Sequence, residues 1–118
     1  MATLQKKSLD SADETRKFQA NGYLEVVTLP GVTVGRATFE PGWKWSNDVK
    51  PIAGTDSCKT DHKGFVVSGR MVIRMDDGQQ IEVGPGDAFV CEPGHDAWVI
   101  GDEPCIALDF TGATNYAK

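Results

Sequence analysis

Apolar residues along this chain recur at every second position in short runs, and each run is closed by glycine or proline. Between positions 70 and 76, Met71, Ile73 and Met75 fall on one face and Arg70, Val72 and Arg74 on the other. That is the period of a strand whose two sides meet different surroundings. The methionine and isoleucine face is expected to line the interior. Seven further runs read as strands, at 23–29, 33–40, 64–68, 79–83, 88–92, 97–101 and 105–111. The turns between them are marked by Pro30-Gly31, by Asp77-Gly78, read as a two-residue type I′ hairpin, and by the corner Val83-Gly84-Pro85-Gly86. Eight short strands so punctuated predict an all-β sandwich or barrel.

The first residues carry a different signal. Ser11-Ala12-Asp13-Glu14 has the form of a capping box, which predicts a short helix over 13–18 ended by Asn21-Gly22. Two helical turns are marginal alone, so an extended arm lying across the barrel is the alternative. The expected organisation is an arm or short helix at 1–22 followed by one barrel domain at 23–118.

Composition narrows the function classes. A chain of 118 residues with 40% hydrophobic and 25% charged residues has the make-up of one ordinary globular domain able to bury a core. Its net charge of -5 argues against nucleic acid or an anionic membrane as partner, and leaves small molecules open. No apolar run approaches bilayer length, and the first ten residues lack the apolar core of a secretory signal, so a cytoplasmic location is expected. Cys58, Cys91 and Cys105 are odd in number and without CxxC spacing, which predicts three free thiols. A homodimer is expected, because outward residues such as Val72 leave apolar surface to cover.

Two segments carry a family resemblance. Gly64-Phe65-Val66-Val67-Ser68-Gly69, followed by Arg70 to Gly78, and Gly86-Asp87-Ala88-Phe89-Val90-Cys91-Glu92-Pro93-Gly94-His95 together resemble the paired motifs of the cupin family, over roughly 35–111. The resemblance implies a jelly-roll β-barrel with a metal or small-molecule site in its mouth. The family's first motif is G-x5-H-x-H-x3,4-E-x6-G, and counting back from Gly69 puts His62 in the glutamate slot and Cys58 and Asp56 in the histidine slots. In the second motif, counted from Gly86, Glu92 takes the proline slot, Gly94 is kept, Ala97 takes the histidine slot and Gly101 the asparagine slot. The fourth ligand is therefore missing, unless His95, two residues earlier, turns inward instead of capping its turn beside Asp96. Gly42 best opens the first motif, and the lengthened loop after it carries Trp43, Trp45, Pro51 and Gly54.

The chemistry of these residues leaves several functions open. Asp56, Cys58 and His62 at i, i+2 and i+6 of one strand would share a face and could hold a divalent transition metal. A Cys58–His62 pair could instead form a nucleophilic thiolate. Phosphate-binding glycine loops and a G-x-S-x-G serine are absent. Trp43, Trp45 and Trp98 could stack on a ligand, close the barrel end, cover the site as a lid or make a dimer contact. The leading expectation is a barrel that binds a small organic molecule, with Cys58 and His62 as polar contacts, Met71, Ile73 and Met75 as walls, and Trp45, His95 and Trp98 near the mouth. The alternatives are a metal-dependent oxygenase, isomerase or lyase using Asp56, Cys58 and His62, and a sensor or interaction scaffold.

Overall fold

The computed structural model describes residues 3–114 and 116–118. Nine strands form two antiparallel sheets. The larger joins β1 (Glu14–Lys17), β2 (Gly22–Leu29), β3 (Val32–Phe39), β9 (Cys105–Asp109), β4 (His62–Ser68) and β7 (Ala88–Cys91), in that order. The smaller joins β6 (Gln80–Val83), β5 (Arg70–Met75) and β8 (His95–Ile100). Their inner faces enclose one core that includes Leu24, Ala37, Val66, Met71, Ile73, Val99 and Ala107. All eight predicted strands are present, and this is a jelly-roll barrel.

The chain passes between sheets at glycines. β4 lies in the larger sheet and β5 in the smaller, and between them Gly69 takes φ +75° with Pro104 and Cys105 packed against its Cα. β7 and β8 likewise belong to different sheets and are joined through Pro93 and Gly94, the latter at φ +97°. The turn at Asp77-Gly78 differs from the expected two-residue form. The amide of Met75 donates to the carbonyl of Gln79 and that of Gly78 to Met75, and Gly78 but not Asp77 has positive φ. This is a three-residue loop closed by a glycine bulge, since type I′ would need positive φ at both central residues.

The predicted helix over 13–18 is corrected to a strand. Glu14–Lys17 pairs with β2, from Glu14 opposite Val26 to Lys17 opposite Tyr23, so the extended alternative is the one adopted. Ser8, not Ser11, caps a single 3-10 turn at Leu9–Ser11. Pairing wins because Arg16 gains partners that a two-turn helix could not offer. Its buried guanidinium donates to the carbonyls of Ala113 at 2.6 Å, Tyr116 at 2.7 Å and Thr114 at 3.3 Å, and it pairs with Glu14. β1 thereby ties the C-terminal tail to the barrel.

The long loop after β3 folds into two short helical turns, α1 (Trp45–Asp48) and α2 (Lys50–Ala53). Buried Asp48 fixes it, accepting from the Lys44 amide at 3.0 Å and from the Asn21 side chain. The Val99 amide donates to the Trp43 carbonyl, and the Ser46 amide to Asp96. Trp43 and Trp45 are each only 2% exposed. The loop is a plug pinned to β8, closing the barrel end, and not a lid.

A Cβ at Gly69 would stand 2.2 Å from the Pro104 carbonyl oxygen, whereas one at Gly42, also at positive φ, would meet nothing within 4 Å. Gly69→Ala should cost about 2 to 4 kcal/mol in urea unfolding and Gly42→Ala about 1 kcal/mol. Equal losses would contradict the close crossing.

Candidate metal centre and interior cavity

The centre begins with a backbone contact. Cys58 lies outside any strand but forms an isolated antiparallel bridge with His95, the Cys58 amide donating to the His95 carbonyl at 2.7 Å and the Gly94 amide to the Cys58 carbonyl at 2.7 Å. That bridge brings the segment before β4 against the start of β8. The inward face of β8 is His95, Ala97 and Val99, so His95 shares a side with the vacant histidine slot at Ala97 and turns into the core. On β4, His62 begins the series that continues through Gly64 and Val66.

Cys58, His62 and His95 each present one donor atom, and all three atoms lie within 4.8 Å of one another. The sulfur of Cys58 is 3.8 Å from Nε2 of His62. Each imidazole is oriented from behind. His62 Nδ1 is bonded to the Asp109 carboxylate, and Nδ1 of His95 donates to the Glu92 carbonyl at 2.8 Å. A carboxylate or a carbonyl can only accept from an imidazole, so Nδ1 carries a proton, and in the neutral ring the Nε2 lone pair is left for the centre. Asp109 is itself held by the amides of Thr111 at 3.0 Å and Gly112 at 2.8 Å.

These contacts reshape the acidities. Burial opposes charge on Cys58, but hydrogen bonds from His62 and His95 and the positive charge of both rings bring the thiol down to about 6. Burial likewise works against a charged His95, and its contacts with Cys58 and Cys91 push it up to about 10. His62 is raised, its burial outweighed by Asp109 and Cys58, while Asp109 is lowered despite burial by His62 and the two amides. Without metal, the centre is thus a buried thiolate beside imidazolium. Cys105 shows the opposite regime, where burial alone pushes the thiol up to about 11. All three cysteines are free.

Beside the centre lies a cavity of about 60 Å³. Apolar side chains make most of its wall, among them Leu24, Phe39, Met71, Ile73 and Phe89, with Trp43, Trp45, His62, His95, Asp109 and Tyr116 completing it. Of the residues expected at the site, Cys58, His62 and His95 come together, and Trp45, Met71 and Ile73 line the cavity. Met75 is partly buried against the core without reaching the cavity. Two placements correct the sequence reading. Asp56 is exposed in a bend, because the strand starts only at His62 and the segment before it is irregular, so it does not share a face with Cys58 and His62. Trp98 alternates with the inward residues of β8 and stands on the outer side, with the Lys44 ammonium 5.5 Å from its ring centroid.

Asp109 and Tyr116 were not singled out from the sequence. The Tyr116 ring stacks edge-on to His62 at 5.1 Å, and burial holds its hydroxyl well above the ordinary tyrosine value. Asp109 closes an alternating run, Cys105-Ile106-Ala107-Leu108-Asp109, at an inward position. A carboxylate on the buried face of a strand was the available signal.

Residues 59–111, which include His62, His95 and Asp109, match the family model of the cupin domain. That stretch is a cupin domain. Among solved structures, this cupin is similar to a protein of unknown function from Rhizobium leguminosarum bv. viciae 3841, with TM-score 0.63 and 17% identity over 93% of this chain and 98% of that one. It is similar to a sugar phosphate isomerase of the cupin superfamily from Silicibacter pomeroyi DSS-3, with TM-score 0.64 and 21% identity over 90% and 74% of the two chains. A conserved protein with a double-stranded β-helix domain from Klebsiella pneumoniae gives TM-score 0.60 and 19% identity over 97% and 94%. At such identities the likeness carries the fold alone. No curated protein matches the sequence.

In the metal-stripped cupin, ultraviolet thiolate absorption from a single cysteine should appear with a midpoint near pH 6, and Cys58→Ser should remove it. The depressed thiol and raised imidazole add stability between their folded limits. The thiolate share is lost as pH falls through about 6 and the imidazolium share as pH rises through about 10. A midpoint near the ordinary cysteine value would show that the pair does not form.

Proposed function

We propose that this cupin holds a divalent transition metal through Cys58, His62 and His95 and takes a small organic molecule into the adjoining cavity. The observation that carries the reading is the convergence of three donors whose two imidazoles are each fixed from behind by an acceptor. Such outer partners are what metal-bound histidines characteristically have. Metal bonds of about 2.0 to 2.3 Å to nitrogen and sulfur need donor atoms a few ångströms apart, and the Cys58–His62 separation of 3.8 Å meets that need. One thiolate with two imidazoles favours zinc, or another borderline ion such as iron or nickel, over magnesium or calcium.

When bound, such an ion supplies a Lewis acid for an oxygen or nitrogen of the small molecule, because three protein ligands leave a position open. The protein's own share is distinct. Asp109 and the Glu92 carbonyl keep both rings in the donor tautomer. The apolar wall from Leu24 to Phe89 excludes water, and Tyr116 covers His62. Among the described residues no lysine or arginine lines the cavity, and at about 60 Å³ it is smaller than the cavity of roughly 150 Å³ that admits benzene. A sugar phosphate, the substrate class named for the Silicibacter pomeroyi neighbour, is therefore too large and too charged for it.

Protein purified without a histidine tag and reconstituted with zinc should retain about one ion per chain after desalting. Cys58→Ser and His95→Ala should abolish retention, while Asp109→Asn, which leaves all three ligands in place, should weaken affinity roughly tenfold to hundredfold. Retention that survives removal of Cys58 and His95 together would overturn the assignment.

A further inference from the structure

We infer that Ser57 and Asp76 are positioning residues of the centre, because Asp76 holds at once the residue before Cys58 and the residue before His95. The inference rests on the proposed metal reading and adds the side chains that set two of its donors against each other.

Cys58 needs such support. The segment ahead of β4 is irregular, and Cys58 is tied to β8 only through the single bridging pair it makes with His95. Hydrogen bonds at one residue leave the flanking chain free to swing about them, whereas a built site must be held to within about half an ångström. A second anchor close by removes that freedom. Ser57 supplies it, its hydroxyl donating to Oδ2 of Asp76 at 2.8 Å.

Asp76 is well placed to serve both sides of the bridge, since it follows Met75, the last residue of β5, which lies opposite His95. The Asp76 amide donates to the Gly94 carbonyl at 2.8 Å, and the Gly94 amide donates to the Cys58 carbonyl at 2.7 Å. These contacts close a ring that runs from Cys58 through Ser57, Asp76 and Gly94 and back to Cys58. The Asp76 carboxylate also packs on the corner that delivers His95, for a Cβ at Gly94 would stand 3.2 Å from Oδ2.

The direction of the Ser57 bond is fixed as well. Nζ of Lys59 lies 3.0 Å from the Ser57 oxygen, and an ammonium can only donate, so the hydroxyl accepts there and keeps its one proton for Asp76. The Ser57 carbonyl accepts from the Thr55 hydroxyl at 2.8 Å. Ser57 is buried, while Asp76 and Lys59 are exposed, and none of the three lines the cavity or belongs to the converging donors. Their part is to place Cys58, not to touch metal or ligand. Asp77, one residue on, instead accepts from the amide and the side chain of Gln79 within its own turn.

Two measurements test the ring. Cobalt(II) bound in place of zinc reports the bond to Cys58 through its thiolate-to-metal charge-transfer band, and amide hydrogen exchange in the metal-free protein reports the bridge itself. Asp76→Ala and Ser57→Ala should each weaken cobalt binding roughly tenfold to hundredfold and diminish the charge-transfer band. In the metal-free protein both should speed exchange at the Cys58 and Gly94 amides roughly tenfold, as loss of one hydrogen bond to a charged group would, and leave the amides of β2 and β3 unchanged. Asp76→Asn, which keeps an acceptor for Ser57, should restore most of the affinity and the band, and Asp77→Ala should match the unaltered protein. The inference is overturned if the two alanine variants keep full cobalt affinity and a slow-exchanging bridge, or if Asp77→Ala weakens the metal as much as Asp76→Ala does. Uptake of no cobalt by the unaltered protein, with bridge amides that still respond to Asp76→Ala, defeats the metal reading alone. Full uptake with affinity and bridge unmoved by the variants defeats the positioning role alone.

Discussion

The structure turns on the short antiparallel bridge between Cys58 and His95. It is the point where an irregular segment leading into the larger sheet is stitched to the first residue of the smaller sheet's β8. Without it, Cys58 would sit in a loop free to face solvent, and His95 would cap an exposed turn. With it, a thiol and an imidazole are brought into one buried space, and His62 meets them from β4. The glycine at 94 makes the approach possible, because its backbone at φ +97° lets the corner turn sharply while its amide donates to Cys58.

Burying charge in an apolar interior is costly unless the charges answer one another. Here they do so in a chain: Asp109 holds His62, His62 reaches Cys58, and Cys58 faces His95. The contrast with Cys105 is instructive, since that thiol is equally buried without an imidazole acting on it, and its acidity moves the other way. Position relative to histidine, and not depth alone, separates the more acidic thiol from the less acidic one. The tryptophan plug shows the other side of this accounting, with two donors kept in the interior and no acceptor for them among the described residues.

The barrel was legible because alternation and turn residues are local signals. Met71, Ile73 and Met75 point inward as their spacing requires, and glycines 31, 69, 78, 86 and 94 all take the positive φ that their turns demand. The site was legible only in part. Counting motif positions located Cys58 and His62 but treated Asp56 as a strand neighbour, since spacing assumes a regular strand that in fact begins at His62. Trp98 was misplaced because its parity along β8 depends on register, which the sequence left open. The helix expected at 13–18 failed for a non-local reason: the carbonyls that reward an extended Arg16 come from the far end of the chain.

That last contact ties the cover of the centre to the first strand. Arg16 reaches Ala113 and Tyr116 across 97 and 100 residues of sequence, so one buried side chain of β1 fixes the tail against the barrel. Tyr116 rides on that tail and covers His62. The centre is therefore shut by a guanidinium and a phenol ring, neither of which is among the three groups that converge on it.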